Sequence, residues 1–266
     1  MPNKYAGILE YAGCYFCGMQ SQQDSLTVQE VTQSALSRLF NENIIINFAG
    51  RTDSGVHALG QVIDFSTHNI RSVDQILRGA NFYLPRKQIS LLKVKEVPID
   101  FDSRFNAKMR HYVYKIINRP VGLSLYSDTH HYIRKNIDID LLKLAGEKLL
   151  GKHNFTSFRN PKCDKNPVRT LSFFDVKVVY QRSCLQEKEL HIYFSAKSFL
   201  HNMVRKMMGA IIEVGIGNWH LNDIDKLLNI HLDSIASTFS TAPIAPAKGL
   251  YFLGVDYNNF DGFCDH

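Results

Sequence analysis

The sequence predicts an α+β protein built from two halves that repeat one order of elements. Three observations support this prediction: apolar residues alternate along strand-like segments, they recur at helical spacing between those segments, and glycines or prolines separate the two kinds of segment. Residues 4–97 and 110–257 each give the order β-α-β-β-α-β. Such a unit indicates a ferredoxin-like (RRM-like) layer, with an antiparallel sheet and helices on one face. We therefore expect two sheets joined around a central cleft, with the helices on the outer face.

The first half begins with a predicted strand, Lys4–Tyr11, and its first helix is marked by a capping signal. Thr27 and Glu30 have the spacing of a capping box, and apolar residues then recur at helical spacing to about Phe40. The other elements of this half are strands at 44–48, 58–66 and 89–97, and a helix that begins at Ser72 and ends near Pro85. We assign residues 1–100 to an N-terminal domain.

The second half, residues 101–266, is predicted to be a C-terminal domain with inserted segments. Its strands are expected at 110–118, 168–180, 189–196 and 250–257, and its helices at 137–150, 199–214 and 219–230. The segment 153–166 lacks periodicity and is predicted to be irregular.

The predicted helix from Phe199 has two distinct faces. An apolar stripe indicates the face that packs in the core. Ser198, Asn202, Arg205 and Gly209 fall on a different face. The small residues there would let another chain segment approach closely, with Arg205 facing that segment or simply lying in solvent.

Composition and charge limit the classes of protein considered. The chain has 266 residues, of which 45% are hydrophobic, and this is enough for a substantial core. A formal charge of +6 favours a polyanionic partner such as nucleic acid, although many soluble proteins are equally basic. The sequence shows neither the run of about 20 apolar residues that spans a membrane nor a signal peptide. We expect a soluble, cytoplasmic protein.

The five cysteines give no indication of a metal or a disulfide framework. An odd number fits a reducing cytosol better than a set of disulfides. The spacing of Cys14 and Cys17 fits half a zinc site or a redox pair, but no second pair follows at a matching distance, which favours a role without metal or redox chemistry. The sequence also lacks a phosphate-binding loop and a dinucleotide fingerprint, so no cofactor is expected.

The segment Phe48–Ala58 is the strongest candidate for a functional loop. It reads FAGRTDSGVHA and lies between two predicted strands, where loops commonly carry chemistry. Asp, Gly and Ser are frequent in ordinary turns, so local composition alone favours a simple β-turn. Arg51 and His57, however, concentrate ionisable groups around Asp53. A carboxylate held by an arginine stays ionised and oriented, which suits a nucleophile or a base.

Two further segments combine basic and aromatic residues. In FDSRFNAKMRHYVY, residues 101–114, Tyr112 and Tyr114 share one strand face, either in the core or as a platform on which a base stacks. The segment 152–169 is either a solvated loop or an insertion that contacts RNA phosphates. Its cationic residues are Lys152, Arg159, Lys162, Lys165 and Arg169.

Together these motifs resemble those of the bacterial tRNA pseudouridine synthase A family, over nearly the whole chain. GRTDSGVHA, at residues 50–58, is similar to the family's signature loop, and residues 101–114 are similar to its second motif. Further matching blocks lie at 153–158, 166–170, 199–205 and 241–251. The chain departs from the family at Met19, where a Gly-Trp-Gln loop commonly has its tryptophan.

The resemblance implies an isomerase that converts uridine to pseudouridine at positions 38, 39 and 40 of the tRNA anticodon stem-loop. By similarity, Asp53 is the nucleophile and Arg205 pairs with it. Tyr112 stacks on the target base and takes part in proton transfer, and Arg51 helps to displace the target nucleotide. The family is a homodimer without metal or organic cofactor, and one tRNA spans both subunits. The remaining RNA contacts are expected from His57, Arg104, Arg110, Lys162, Lys165 and Arg169.

The residues alone leave two other classes of protein open. A non-catalytic RNA-binding protein with two sheet platforms would need the basic and aromatic residues but not Asp53. An aspartate enzyme that acts on a small nucleotide would not need the basic segment 152–169.

Overall fold

The structure, a computed structural model, describes residues 2–229 and 241–258, which form two compact units. The first unit comprises residues 1–110 and 251–266, and the second comprises residues 111–250. Both contain helices and mostly antiparallel strands, which confirms the predicted α+β class. None of the helices within 2–229 and 241–258 has both the length and the apolar character that a bilayer span requires.

The first unit has the order of elements that was predicted for residues 4–97. Its strands and helices are β1 (Asn3–Tyr11), α1 (Val28–Phe40), β2 (Ile46–Phe48), β3 (His57–Thr67), α2 (Val73–Tyr83), β4 (Ile89–Val97) and the distant β10 (Leu250–Tyr257). β1 lies between β4 and β3 and is antiparallel to both, while β2 is antiparallel to β3. β10 is parallel to the start of β3, with Tyr251 opposite His57. From the sequence, this last strand was predicted to belong to the C-terminal domain, residues 101–266.

Both helices of the first unit begin where their capping residues predict. The hydroxyl of Thr27 accepts a hydrogen bond of 3.3 Å from the backbone N–H of Glu30. Ser72 and Gln75 form a reciprocal capping box at the start of α2. These bonds satisfy N–H groups that have no partner within the helix, and so they fix where each helix starts.

The second unit is built on four longer elements and several short ones. These are β5 (Ala107–Asn118, which begins in the first unit), β6 (His131–Ile133), α3 (Ile139–Glu147), β7 (Gly151–Asn154), β8 (Val168–Arg182), β9 (Glu187–Ala196), α4 (Met203–Gly215) and α5 (Leu221–Leu228). β8 lies between β9 and β7 and is antiparallel to both. β9 lies beside β5, and β6 is parallel to β5. Leu190, Ile192 and Phe194 of β9 are fully buried and form one side of the core.

Two predicted segments differ from the structure, and one predicted helix end is not tested by it. α4 begins at Met203, not at Phe199, because Asn202 has a left-handed backbone (φ 65°) that a helix does not continue through. The segment 153–166 is ordered in part, since a 3-10 helix at Thr156–Phe158 follows β7 and packs Phe155 and Phe158 in the core. The predicted end of the last helix, at residue 230, lies outside the described residues.

Candidate active site

The side chain of Gln61 on β3 forms hydrogen bonds with the loop that carries Asp53. Gln61 is fully buried, and its Nε2 donates to the carbonyl oxygen of Gly50 at 2.7 Å. Its Oε1 accepts from the N–H of the same glycine at 3.3 Å. One amide therefore pairs both backbone groups of the residue that begins the signature sequence. The sequence signal for this role was a glutamine directly before the apolar Val62 and Ile63, and it was not used in the prediction.

The early loop between β1 and α1 supports the other side of the Asp53 loop. The N–H of Met19 donates to the carbonyl oxygen of Thr52 at 3.1 Å. Gly18 has a φ of +93°, and a Cβ at this position would lie 2.8 Å from the same carbonyl oxygen, so a side chain is excluded on both grounds. Met19 itself is completely buried. The residue at the family's tryptophan position thus packs in the core beneath the loop.

The hydroxyl of Thr52 is also fixed by a hydrogen bond with a buried tyrosine. It lies 2.7 Å from the hydroxyl of Tyr11, which is buried at the end of β1. Burial raises the pKa of Tyr11 to about 12, so the phenol keeps its proton at neutral pH and remains a hydrogen-bond donor. The residue directly before Asp53 is therefore held by both its carbonyl and its side chain.

Asp53 lies in a tight turn at the top of this framework. Its carbonyl oxygen accepts from the N–H of Val56 at 3.1 Å, and Gly55 has the positive φ (79°) expected of a turn glycine. Asp53 is partly exposed, and Arg51 is exposed. The β-turn favoured by local composition is thus present, and it holds a carboxylate at the surface of the first unit.

His57 holds the end of the same loop. Its Nδ1 accepts a hydrogen bond of 3.1 Å from the N–H of Gly13, and its ring stacks on Tyr251 of β10 with centroids 4.6 Å apart. The residue is only 2% exposed. The RNA contact expected from His57 stays a prediction, whereas its contacts in the structure position the loop.

The second motif forms an ordered turn that displays two side chains. Oδ1 of Asp102 accepts from the N–H groups of Arg104 and Phe105 at 2.8 and 2.7 Å. Arg104 is exposed, and its guanidinium lies 5.4 Å from the centroid of Phe105, which is 78% exposed. Arg110 then joins this turn to the signature loop, because its guanidinium donates to the carbonyl oxygens of Arg104 (2.8 Å) and Ala49 (2.9 Å). A cation and an aromatic ring are therefore presented together.

A buried carboxylate that the sequence analysis missed anchors this turn. Asp64 of β3 is fully buried and accepts from the N–H of Ser103 at 2.8 Å and from Nδ2 of Asn47 at 3.1 Å. Nζ of Lys4 lies 3.2 Å from the same carboxylate, so the buried charge is paired. The signal was an aspartate within the apolar strand sequence Val62–Phe65.

The two tyrosines of β5 have different environments. Tyr112 is 7% exposed, and its ring meets Phe199 edge to face at 5.1 Å. Tyr114 is completely buried, and its hydroxyl donates to the carbonyl oxygen of Pro246 at 2.8 Å. Burial raises the pKa of the Tyr114 phenol, which therefore stays protonated. The platform interpretation consequently does not apply to Tyr114, which is a core residue.

Arg205 on α4 faces a neighbouring segment, as the spacing of small residues predicts. Its Nε donates to the carbonyl oxygen of Ala245 at 2.9 Å, and the N–H of Ala245 donates back to the carbonyl of Arg205 at 3.0 Å. This close approach requires a glycine one turn further along, because a Cβ on Gly209 would overlap the carbonyl oxygen of Pro243. Arg205 is partly buried, and its guanidinium is oriented by the backbone.

The basic segment contains both exposed and constrained cations. Lys162 and Lys165 are exposed, and the turn that carries Lys162 is closed by Oδ1 of Asn160. Arg169 donates through Nη1 to the carbonyl oxygens of Asn166 (2.8 Å) and Val168 (2.7 Å). Its Nε is buried and makes no hydrogen bond within the described residues. The two lysines are therefore accessible to a phosphate, whereas Arg169 is partly committed to its own segment.

The comparisons with known proteins agree with these motifs. The model of a family described as tRNA pseudouridine synthase matches residues 8–106 and 145–258. The chain belongs to this family of RNA-modifying isomerases, and the resemblance inferred from the motifs is confirmed.

The similar curated proteins carry the name tRNA pseudouridine synthase A. The one from Neorickettsia sennetsu is 39% identical, over 96% of this chain and 100% of that protein. Those from Xanthobacter autotrophicus (39%, 96% of this chain and 99% of that protein) and Methylocella silvestris (38%, 94% and 96%) are similar over a comparable length. Among solved structures, a chain of a Cbf5-Nop10-Gar1 complex matches 77% of this chain and 46% of that chain, at 10% identity and a TM-score of only 0.32.

Proposed function

We propose that this tRNA pseudouridine synthase isomerises uridine at positions 38, 39 and 40 of the anticodon stem-loop, with Asp53 as its nucleophile. The observation that carries the proposal is the construction of the Asp53 loop. A partly exposed carboxylate is held on a backbone fixed by Gln61, Met19 and Gly13, next to an exposed arginine. Rigid support of a single reactive group is what positioning in catalysis requires.

The chemistry needs few groups, because product and substrate are isomers. The bond between C1′ of the ribose and N1 of uracil breaks, the base turns, and a bond forms between C1′ and C5. The proton on C5 must then leave, and N1 must gain one, so a base is needed late in the reaction. The carboxylate of Asp53 opens the reaction by attack on the ribose, by attack on the base, or by removal of a ribose proton.

The roles implied for the other residues form part of the same proposal. Arg205 pairs with the carboxylate of Asp53, and Tyr112 stacks on the target base and takes part in proton transfer. Removing the target base from its stack costs a few kcal/mol. Arg51 offsets part of this cost by entering the vacated space, and its exposure leaves it able to do so.

The remaining parts of the proposal concern the assembly. The proposed phosphate and base contacts are the exposed Arg104, Lys162 and Lys165, the partly buried Arg110 and Arg169, and the buried His57. The enzyme acts in the cytoplasm as a homodimer, and one tRNA spans both subunits. The strand order β4-β1-β3-β2 of the first unit supports a ferredoxin-like half. A second such half and a central cleft complete the proposed architecture.

The first experiment tests the nucleophile. Asp53→Asn is expected to abolish pseudouridine formation, mapped on a tRNA with uridines at positions 38 to 40, while the affinity for that tRNA changes less than threefold. Asp100→Asn, at an exposed aspartate, is the matched control and should retain full activity. Normal turnover by Asp53→Asn would refute the assignment. Modification of free uridine nucleotide by the wild type would instead favour the small-nucleotide enzyme.

A second experiment tests Arg205. Arg205→Ala and Arg205→Lys are each expected to lower the rate of the chemical step at least 100-fold under single-turnover conditions, because neither keeps the fixed guanidinium. Lys143→Ala, at an exposed residue of α3, serves as the control. An unchanged single-turnover rate in Arg205→Ala would return Arg205 to a packing role against Ala245.

A further inference from the structure

A cluster of two histidines and one glutamate lies on β9 and on the turn before β6. Among the described residues, His130, Glu189 and His191 form the one group of three whose ligand atoms all lie within 4.8 Å of one another. Oε1 of Glu189 is 2.6 Å from Nε2 of His191 and 3.4 Å from Nε2 of His130. None of these residues belongs to the motifs that define the enzyme family.

The three side chains are already oriented towards a common point. Glu189 and His191 are two residues apart on a strand, so their side chains project from the same face of the sheet. His130 is 6% exposed, its backbone N–H is bonded to the carbonyl of Tyr126, and the ring of Tyr126 packs edge to face against its imidazole at 5.1 Å. Little conformational entropy therefore remains for His130 to lose when a ligand binds.

Metal binding requires neutral imidazoles, and the proton between Nε2 of His191 and Oε1 of Glu189, which are 2.6 Å apart, has to move when an ion binds. Burial lowers the pKa of His130 and of His191, so both rings are neutral at pH 7. Nδ1 of His130 lies 3.0 Å from the hydroxyl of Thr129. A proton on Nδ1 donated to this hydroxyl leaves the lone pair on Nε2 facing Glu189, which is the arrangement seen where a second partner orients a metal-binding histidine.

One nearby charge opposes a cation. Lys115 of β5 lies close enough to lower the pKa of both histidines, while Glu189 acts on them in the opposite direction. Burial lowers the pKa of Lys115 itself, which weakens its positive charge relative to an exposed lysine. Lys115 therefore lowers the affinity of the cluster for a cation but does not abolish it.

We propose that His130, Glu189 and His191 bind a divalent transition-metal ion, with zinc as the ion that suits two imidazoles and one carboxylate. Tetrahedral zinc with bonds of about 2.0–2.1 Å keeps its ligand atoms about 3.3 Å apart. The separation between Glu189 and His130 already has this value, at 3.4 Å. The 2.6 Å contact between Glu189 and His191 has to lengthen, and the nitrogens of His130 and His191, which lie within 4.8 Å of each other, have to reach the same separation. Glu189 and His191 are partly exposed and can turn. Water supplies the fourth ligand.

The proposed role of the ion is structural. His130 ends the turn that begins at Tyr126, and the other two ligands lie on β9, so the ion would join this turn to the sheet. An ion that binds the folded state alone stabilises it in proportion to the logarithm of its concentration. This inference is independent of the proposed reaction and of Asp53.

The test is a metal titration of the full chain after treatment with a chelator. Zinc is expected to bind with a stoichiometry of one and to raise the melting temperature. Cobalt should give the intense visible bands of a four-coordinate site. His191→Ala, His130→Ala and Glu189→Gln should each weaken zinc binding at least tenfold, and Lys115→Gln should strengthen it. Far-ultraviolet circular dichroism of each variant without metal establishes that it is folded.

Two control variants make the outcome decisive. His68→Ala removes an exposed histidine of the first unit, and the double variant Cys14→Ser, Cys17→Ser removes the exposed cysteine pair. Both should bind zinc as the wild type does. The proposal is overturned if the wild type binds less than one equivalent, if the cysteine variant loses binding, or if folded His191→Ala binds zinc as tightly as the wild type.

Discussion

The backbone N–H of Gly13 donates a hydrogen bond to Nδ1 of His57, at 3.1 Å. Because Nδ1 accepts, the proton of the neutral ring is on Nε2. The same ring stacks on Tyr251, so three stretches of chain that are far apart in sequence meet at one imidazole. The histidine of the signature sequence therefore has a positioning role that does not depend on any contact with RNA.

His57→Ala is expected to lower the free energy of unfolding by about 2–4 kcal/mol, because it removes a buried acceptor and a stacked ring. His57→Asn retains a side-chain acceptor and should therefore lose less of the free energy of unfolding. Urea denaturation measures both effects, and turnover should fall in the same order. If His57→Ala is as stable as the wild type and only binds tRNA more weakly, His57 is an RNA contact and not a support of the loop.

Phenylalanine substitutions at the two tyrosines of β5 should separate chemistry from packing. Tyr112→Phe keeps the edge-to-face contact with Phe199, and its single-turnover rate per folded enzyme should fall about 100-fold or more. Tyr114→Phe leaves the carbonyl of Pro246 without its donor and should cost about 1–2 kcal/mol of stability, with little effect on the rate per folded enzyme. The opposite pattern would exchange the two assignments.

Gly209→Ala tests the close approach of α4 to the segment that orients Arg205. Because alanine favours a helix more than glycine does, helix propensity alone would make Gly209→Ala more stable than the wild type by about 0.5–1 kcal/mol. The overlap with the Pro243 carbonyl should outweigh that gain, giving a net loss of about 1–3 kcal/mol and a lower turnover. Gly122→Ala meets open space and should change stability by less than about 0.5 kcal/mol. Equal free energies of unfolding for the two variants would mean that the segment carrying Pro243 moves away from the new Cβ at little cost.

The pH dependence of stability should contain a contribution from His131. Burial, and then the charge of Lys248, lower the pKa of His131 to about 4 from a reference value of 6.5. Below pH 6.5 the unfolded chain takes up a proton that the folded protein does not, so stability falls as the pH decreases towards 4. The slope is at most about 1.4 kcal/mol per pH unit.

His131→Asn should flatten this slope by comparison with the wild type. His130 and His191 are present in both proteins, so their own contributions cancel in the difference. His68→Asn, at an exposed histidine, should leave the slope unchanged. Urea denaturation at intervals between pH 4.5 and 7.5 provides the measurement, and parallel curves for wild type and His131→Asn would contradict the assignment.

The salt dependence of tRNA binding tests the basic segment. If Lys162 and Lys165 each neutralise a phosphate, the double alanine variant should reduce the slope of log affinity against log salt by about 1.4–1.8. The double variant of Lys135 and Lys143, two other exposed lysines, removes the same charge and should leave the slope nearly unchanged. Equal slopes in the wild type and both double variants would mean that Lys162 and Lys165 are solvated and do not contact phosphates.

Local signals predicted the elements whose causes are local. Thr27 and Ser72 mark helix starts because each caps N–H groups within the next three residues. The start of α4 was predicted four residues early, since apolar periodicity continues through Asn202 although its backbone turns left-handed. Nothing in the composition of those residues reports that φ angle. Strand β6 has three residues, which is too few for an alternation to be recognised.

Contacts between distant residues were beyond sequence patterns. Asp53 and Arg51 were found because they share one loop, whereas the support from Gln61, Met19 and Gly13 depends on pairing that only the fold creates. The cluster of His130, Glu189 and His191 joins residues 59 positions apart, and no spacing rule links them. The residues alone left Tyr112 either in the core or on a stacking platform, and Arg205 either facing another segment or in solvent. Their catalytic roles were implied only by the resemblance to a family.

The pairing of β10 with the start of β3 has a consequence for synthesis on the ribosome. Tyr251 and Phe252 are made about 200 residues after His57 and Gly50. Tyr251 nevertheless stacks on His57, and Phe252 lies 2.8 Å from where a Cβ on Gly50 would be. During translation the nascent signature loop lacks this support until β10 leaves the exit tunnel. A chain released before β10 is made is therefore expected to carry the complete signature sequence in a loop that lacks this support.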